Sequence, residues 1–154
     1  IGRRVAEIAR AFGAKVIYYS ASGAPAQEGY EQVDFETLLT QSDIISVHAP
    51  LNEHTEGLIN SKAFKKMKSS CIFLNLGRGP IVDEQALYDA LVRNQIAAAG
   101  LDVLCEEPMS ADNPLVQFKD SKRLLITPHI AWASVEARTH LMEIIHGQVK
   151  DFFA

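Results

Sequence analysis

The sequence predicts an α/β domain built on a doubly wound parallel sheet with helices on both faces, and three observations carry that prediction. Short apolar runs recur at Ile44–Val47, Ile72–Leu76, Ala97–Leu101 and Leu124–Ile126. Helical patterns alternate with them, which is the order that builds a parallel sheet. Each run is also followed closely by a chemically capable residue: His48, Arg78, Asp102 and His129. In an open sheet of this kind ligands bind in the crevice outside the carboxyl ends of the strands. Residues as far apart in sequence as His48 and His129 are therefore expected to share one pocket.

A helix opens the chain. Ile1, Val5, Ile8, Ala9 and Phe12 form one apolar stripe, and Gly13 sits where a C-cap belongs. No strand precedes that helix and the chain starts at Ile1 rather than Met, so a fragment of a longer protein is expected, with the first strand of the sheet missing. Lys15–Tyr19 reads as a strand and Ser20–Gln32 as a polar loop containing Gly and Pro. Asp34 caps a short helix through Gln41. Ile44–His48 is the next strand, stopped by Pro50. Ser61–Lys68 is a helix with lysines toward its C-terminus, where cations suit the helix dipole. Cys71–Leu76 is a strand that runs into Gly77-Arg78-Gly79-Pro80. Asp83 caps a helix ending near Arg93 and Asn94, and Ile96–Leu101 is the strand after it. The loop Glu106–Lys122 carries Pro108 and Pro114. Leu124–Ile126 is a short strand, and Ser134 caps a long helix through Phe152 with Leu141, Ile145, Val149 and Phe152 facing inward.

With 154 residues and 47% hydrophobic content, the chain suffices for one domain with its own core. A net charge of −4 supplies no basic patch, which argues against nucleic acid or an anionic membrane as partner. A small anionic substrate then needs a local positive group. Cys71 and Cys105 fit neither a disulfide framework nor a zinc site, so no metal is expected and a reduced, cytoplasmic compartment fits best. Cys71 reads as a small buried hydrophobe and Cys105 as a bystander beside the site. No run approaches the roughly twenty apolar residues of a membrane span.

Arg78 lies between two glycines directly after a buried strand. Its planar fork suits a carboxylate clamped bidentately, although a surface arginine in a turn has the same local sequence. His129, after Thr127-Pro128, is the natural general acid or base, while a lone histidine at a strand end is commonly structural. His48 shares the strand-end position as a lining group; His54, His140 and His146 look solvated. A carboxylate beside an imidazole orients the ring and favours its protonated form. Glu106 reads as solvated, and for Glu107 the residues leave both roles open. Gly2 opens a helix ahead of the strand Lys15–Tyr19, as the last glycine of a G-x-G-x-x-G fingerprint would. That helix N-terminus would face a pyrophosphate.

The segments Ile1-Gly2-Arg3-Arg4-Val5-Ala6, Ser46-Val47-His48-Ala49-Pro50-Leu51, Asn75-Leu76-Gly77-Arg78-Gly79-Pro80-Ile81-Val82-Asp83, Gly100-Leu101-Asp102-Val103 with Glu107-Pro108, and Ile126-Thr127-Pro128-His129-Ile130-Ala131 together resemble the D-isomer-specific 2-hydroxyacid dehydrogenases. The resemblance spans nearly the whole chain in the family's order and matches its nucleotide-binding domain. It implies a Rossmann-type NAD(P)-binding domain over residues 1–154, incomplete at its N-terminus and without the substrate domain. Such a fragment is expected to be inactive alone.

The resemblance also assigns roles that the residues leave open. It implies a catalytic set of Arg78, Glu107 and His129. Arg78 would bind the substrate carboxylate, His129 would protonate the carbonyl oxygen as hydride arrives, and Glu107 would keep His129 protonated. It implies a cofactor lining of Ile1, Gly2, Ser20, His48, Ala49, Pro50, Thr55, Leu76, Gly77, Arg78, Asp102, His129 and Ala131. Asp102 would lie near the carboxamide.

Where NAD-using members carry an acid after the strand ending at Tyr19, this chain has Ser20, and no arginine follows to clamp a 2′-phosphate. NAD is the expected cofactor, with NADP the alternative. Trp132-Ala133 is similar to the glycerate dehydrogenase (hydroxypyruvate reductase) branch, and a bulky ring beside the acid favours a short 2-ketoacid or 2-hydroxyacid such as hydroxypyruvate, glyoxylate or D-glycerate. Formate dehydrogenases lack the Glu–His pairing. Two other readings are a D-3-phosphoglycerate dehydrogenase and an NAD(H)-sensing corepressor-like regulator. Relatives dimerise through this domain, so a homodimer is expected.

Overall fold

Among the described residues, four of the five α-helices start after short polar side chains that take up otherwise unpaired N–H groups. A computed structural model describes residues 1–153. Helix α1 spans Gly2–Ala11, α2 Phe35–Gln41, α3 Ser61–Lys66, α4 Glu84–Val92 and α5 Val135–Phe152. Asp34 accepts the Thr37 N–H at 2.7 Å, Asp83 the Ala86 N–H at 2.9 Å and Ser134 the Ala137 N–H at 3.2 Å. Asn60 does the same for α3, accepting from Lys62 and Ala63. Each satisfies a donor that the first helical turn leaves orphaned. At the far end of α1, Gly13 takes φ +88°, the left-handed value that a helix stop favours.

The strands are β1 (Ile17–Tyr18), β2 (Glu31–Gln32), β3 (Ile44–Val47), β4 (Ile72–Asn75), β5 (Ala98–Leu101) and β6 (Leu124–Ile126). The last four form one parallel sheet in the order β3-β4-β5-β6, while β1 and β2 pair separately, also in parallel. This parallel sheet with flanking helices is the α/β architecture that the alternating pattern predicts. Ile45, Val47, Phe73, Asn75, Ala99 and Leu101 are buried, and the alternate residues Ile44 and Ile72 are exposed. Against the buried side pack Leu39 of α2, Phe64 of α3, Leu87 and Leu91 of α4, and Leu115 of the short turn Pro114–Gln117. The rings of Phe64 and Phe73 meet edge to face, 5.5 Å apart at 81°.

Two readings of the sequence are corrected here. Strand β2 lies in the segment read as loop, because two exposed polar residues leave no apolar pattern to detect. The long helix α5 has the predicted bounds, but Leu141, Ile145, Val149 and Phe152 do not face inward: they are 41% to 82% exposed, and no residue of α5 is buried. Helix α1 likewise buries none of its stripe. Periodicity identifies a face able to be buried; burial also needs a surface opposite. Among the described residues no helix is long and apolar enough to cross a membrane.

Phe73 is fully buried at the centre of this core. Phe73→Ala should lower unfolding stability by about 3–5 kcal/mol, read from urea denaturation. A loss below about 1 kcal/mol would show that the Phe64–Phe73 contact is not part of the core.

Candidate active site

Register sets the site. Val47, Asn75, Leu101 and Ile126 lie side by side across the four strands, so His48, Leu76, Asp102 and Thr127 leave the sheet together at its carboxyl edge. Asn75, 1% exposed, shapes the turn after β4. Its Oδ1 accepts the Gly77 N–H at 3.1 Å and its Nδ2 donates to the Arg78 carbonyl at 3.0 Å.

The turn that Asn75 holds touches both neighbouring segments. A Cβ on Gly77 would lie 3.1 Å from the Ala49 carbonyl, and one on Gly79 would overlap the Leu104 carbonyl. At Gly79 the two backbones cross too closely for any side chain, while at Gly77 the contact is only tight. Beyond that crossing, the Leu104 N–H donates to Glu107 Oε1 at 2.9 Å. Glu107 Oε2 lies 2.7 Å from His129 Nδ1. The Leu104 N–H first, and then the His129 ring, hold the Glu107 carboxyl below the usual glutamate value.

Asp102 anchors the opposite side. Its Oδ1 accepts the Thr127 hydroxyl at 2.6 Å and the Ile130 N–H at 2.9 Å, and its Oδ2 accepts the Ala131 N–H at 2.9 Å. Burial is the largest influence and pushes its pKa up. The Thr127 hydroxyl and the two N–H groups outweigh it, so Asp102 is held below the usual aspartate value. His129 takes φ +53° in the loop that Asp102 grips. A cavity of about 460 Å³ opens here, lined by Asp102, Leu104, Glu107, Met109, Thr127 and His129 among others.

The structure brings Glu107 and His129 into contact, as the resemblance implies, and places Arg78 on the same edge without touching them. The Arg78 guanidinium is exposed, donates to the Gly77 carbonyl at 2.8 Å, and makes no ion pair among the described residues. It is a cation free to take an anion. Thr55 is 1% exposed and its hydroxyl is engaged, donating to the Pro50 carbonyl at 2.7 Å and accepting the Asn52 N–H at 2.9 Å; it shapes the loop after β3. Ser20, half-buried just past β1, lies 3.2 Å from the Ser22 hydroxyl.

Burial pushes the His48 imidazole down, and its Nε2 is 2.9 Å from the Ser46 hydroxyl. Burial also pushes the Cys71 and Cys105 thiols up to about 11, aided at Cys105 by the Glu84 charge, so neither is a thiolate nucleophile near neutrality. Among the described residues no group of three or more His, Cys, Asp and Glu is placed to hold a metal.

Asn75, Thr127 and Trp132, whose indole N–H donates to the His129 carbonyl at 2.8 Å, are site residues that the sequence does not mark as hydrogen-bonding partners. For Asn75 the one available signal is a polar side chain closing an apolar run.

The residues fit a dinucleotide. The first turn of α1 has no side-chain cap and no acidic residue, leaving its N–H groups to an anion such as a pyrophosphate. Gly2 lets the start of α1 pack closely against the end of β3, since a Cβ would lie 3.2 Å from the His48 Cβ. Asp102 uses three of its roughly four acceptor positions and retains one on Oδ2.

A parallel α/β sheet, an uncapped helix start beside it and an imidazole in contact with a carboxylate on its carboxyl edge define a nucleotide-binding domain of the dehydrogenase type. The chain belongs to the D-isomer specific 2-hydroxyacid dehydrogenases, matching their NAD binding domain over residues 1–131. It is 45% identical to a hydroxypyruvate reductase of Blautia hydrogenotrophica, over 99% of this chain and 47% of that protein. An acyclic imino acid reductase solved with NADPH and D-Arg superposes with a TM-score of 0.87 at 39% identity, covering 99% of this chain and 48% of that one. A D-lactate dehydrogenase of Aquifex aeolicus, solved with NAD and lactic acid, gives 0.90 at 30% identity, covering 99% and 50%. The chain thus spans about half the length of these relatives.

Asp102→Asn exchanges a charged acceptor for an amide that meets N–H donors, and should cost about 1.5–3 kcal/mol at pH 7. Because the folded pKa of Asp102 lies below its unfolded value, its contribution is present above the ordinary aspartate range near ~3.9 and is lost as pH falls through the folded value. Denaturation at a series of pH values should show the wild type and the variant converging in acid. A difference that did not change with pH would contradict an ionised Asp102.

Proposed function

We propose that this chain is the NAD(P)-binding domain of an oxidoreductase that moves a hydride between a nicotinamide cofactor and a small 2-ketoacid or D-2-hydroxyacid. Hydroxypyruvate or glyoxylate, with D-glycerate in reverse, is the favoured substrate. The observation that carries this reading is the Glu107–His129 pair at 2.7 Å, on the same sheet edge as the unpaired Arg78. Family membership and the resemblance to a hydroxypyruvate reductase support it.

When bound, a reduced nicotinamide would supply the hydride for the carbonyl carbon. Arg78 takes the substrate carboxylate with its fork, which places the adjacent carbonyl. His129 gives a proton from Nε2 to the carbonyl oxygen, forming the hydroxyl. Glu107 holds the ring through Nδ1 and compensates its positive charge. The α1 N-terminus with Gly2, the residues His48 to Pro50, Leu76 to Arg78, and Asp102 would hold the cofactor, and Ser20 would face its adenosine ribose. Ile1 and Ala131 adjoin these residues, and Thr55 supports them by shaping the loop after Pro50.

NAD is the favoured cofactor. NADP is the alternative because Ser20 carries no charge to repel a 2′-phosphate, and one structural neighbour was solved with NADPH. Residues 1–154 form the cofactor half of the protein, and a substrate domain elsewhere in it forms the second wall of the cleft. A cytoplasmic location with no nucleic-acid or membrane partner fits the net charge of −4 and the two unbridged cysteines, and a homodimer follows from the family resemblance.

The decisive assay measures NADH consumption by the full-length protein with hydroxypyruvate and glyoxylate, and repeats it with NADPH. Arg78→Lys keeps the charge but loses the fork, so kcat/KM should fall about 30-fold or more, the equivalent of about 2 kcal/mol. Activity within threefold of wild type would remove Arg78 from the substrate role. No turnover of any short 2-ketoacid would overturn the proposal.

A further inference from the structure

His129 lies in the left-handed region at φ +53°, where a non-glycine residue costs of order 1–3 kcal/mol and persists only when its surroundings hold it. Both peptide planes that flank it are held. The His129 N–H donates to the Thr127 carbonyl at 2.9 Å, fixing the plane before it. In the plane after it, the Ile130 N–H is taken by Asp102 Oδ1 at 2.9 Å and the His129 carbonyl accepts the Trp132 indole N–H at 2.8 Å. That second plane is pinned at both ends. Without the indole, only its N–H end is tied by a side chain, and rotation of the carbonyl changes the direction in which the imidazole leaves the backbone.

Trp132 is 55% exposed, so its contribution is not that of a core residue. We propose that Trp132 is a positioning residue for His129. Its indole N–H, rather than its ring surface, locks the peptide plane that aims the imidazole at Glu107. The inference rests on His129 being the proton donor of the reaction proposed above.

Two substitutions separate the donor from the ring. Trp132→Phe keeps an aromatic surface and removes the N–H. Trp132→Gln removes the ring but keeps an amide nitrogen as many bonds from Cα as Nε1. In the full-length protein, kcat for ketoacid reduction should fall about three- to tenfold in Trp132→Phe, the worth of one neutral hydrogen bond. It should return toward wild type in Trp132→Gln, with KM for NADH unchanged in both. A second readout needs no turnover: the proton magnetic resonance of the His129 Nδ1–H held by Glu107 should weaken or exchange rapidly in Trp132→Phe and persist in Trp132→Gln. Wild-type kcat and an intact Nδ1–H signal in Trp132→Phe would overturn the inference. So would a Trp132→Gln variant more impaired than Trp132→Phe, which would assign the role to the ring. If the wild type reduces no ketoacid, the proposed reaction fails, while the resonance comparison still decides whether Trp132 aims His129.

Discussion

The row Val47–Asn75–Leu101–Ile126, aligned across four parallel strands, determines which parts of the chain meet at the sheet edge. A slip of one residue in any pair would turn that strand's buried side chains toward solvent. Register and core burial are therefore the same constraint, and the site inherits its precision from the packing of Phe73, Leu101 and their neighbours. Two members of the edge convert this alignment into loop shape. Asn75 folds the chain into the Gly77–Arg78 turn, and Asp102 draws the loop of residues 127–131 back onto β5.

These two loops are joined through a third. Gly79 lies against the Leu104 backbone, and the Leu104 N–H anchors Glu107. The guanidinium-bearing turn and the carboxylate–imidazole pair are thus spaced by a backbone crossing and not by a flexible side chain. The charges obey a consistent logic. Asp102 and Glu107 are both held below their usual values by N–H donors and by a hydroxyl or an imidazole, while the Arg78 guanidinium makes no ion pair among the described residues. In a chain of net charge −4, that guanidinium is a local positive group at the sheet edge.

Much of this is legible in the sequence for identifiable reasons. Strands β3 to β6 are apolar runs of the length a buried strand needs, and Asp34, Asp83 and Ser134 announce helix starts because a cap is a local interaction. Strand β2 is not legible, since two exposed polar residues pair through backbone alone. The orientation of α5 is not legible either: its stripe is real, but burial depends on a surface that no local pattern encodes. At the site, residue types nominate His129 and Arg78, but the partner of His129 is decided by resemblance and then seen in the 2.7 Å contact. The roles of Asn75 and Trp132 depend on turns that bring a side chain back to a backbone group three residues away. A sequence pattern does not register that return.

The chain contains a single tryptophan, and its indole is bonded to the backbone of His129. All indole fluorescence from this domain therefore originates beside the Glu107–His129 pair. A reduced dinucleotide seated in the cleft would absorb much of that emission, so light from Trp132 would report occupancy beside His129 without any attached label.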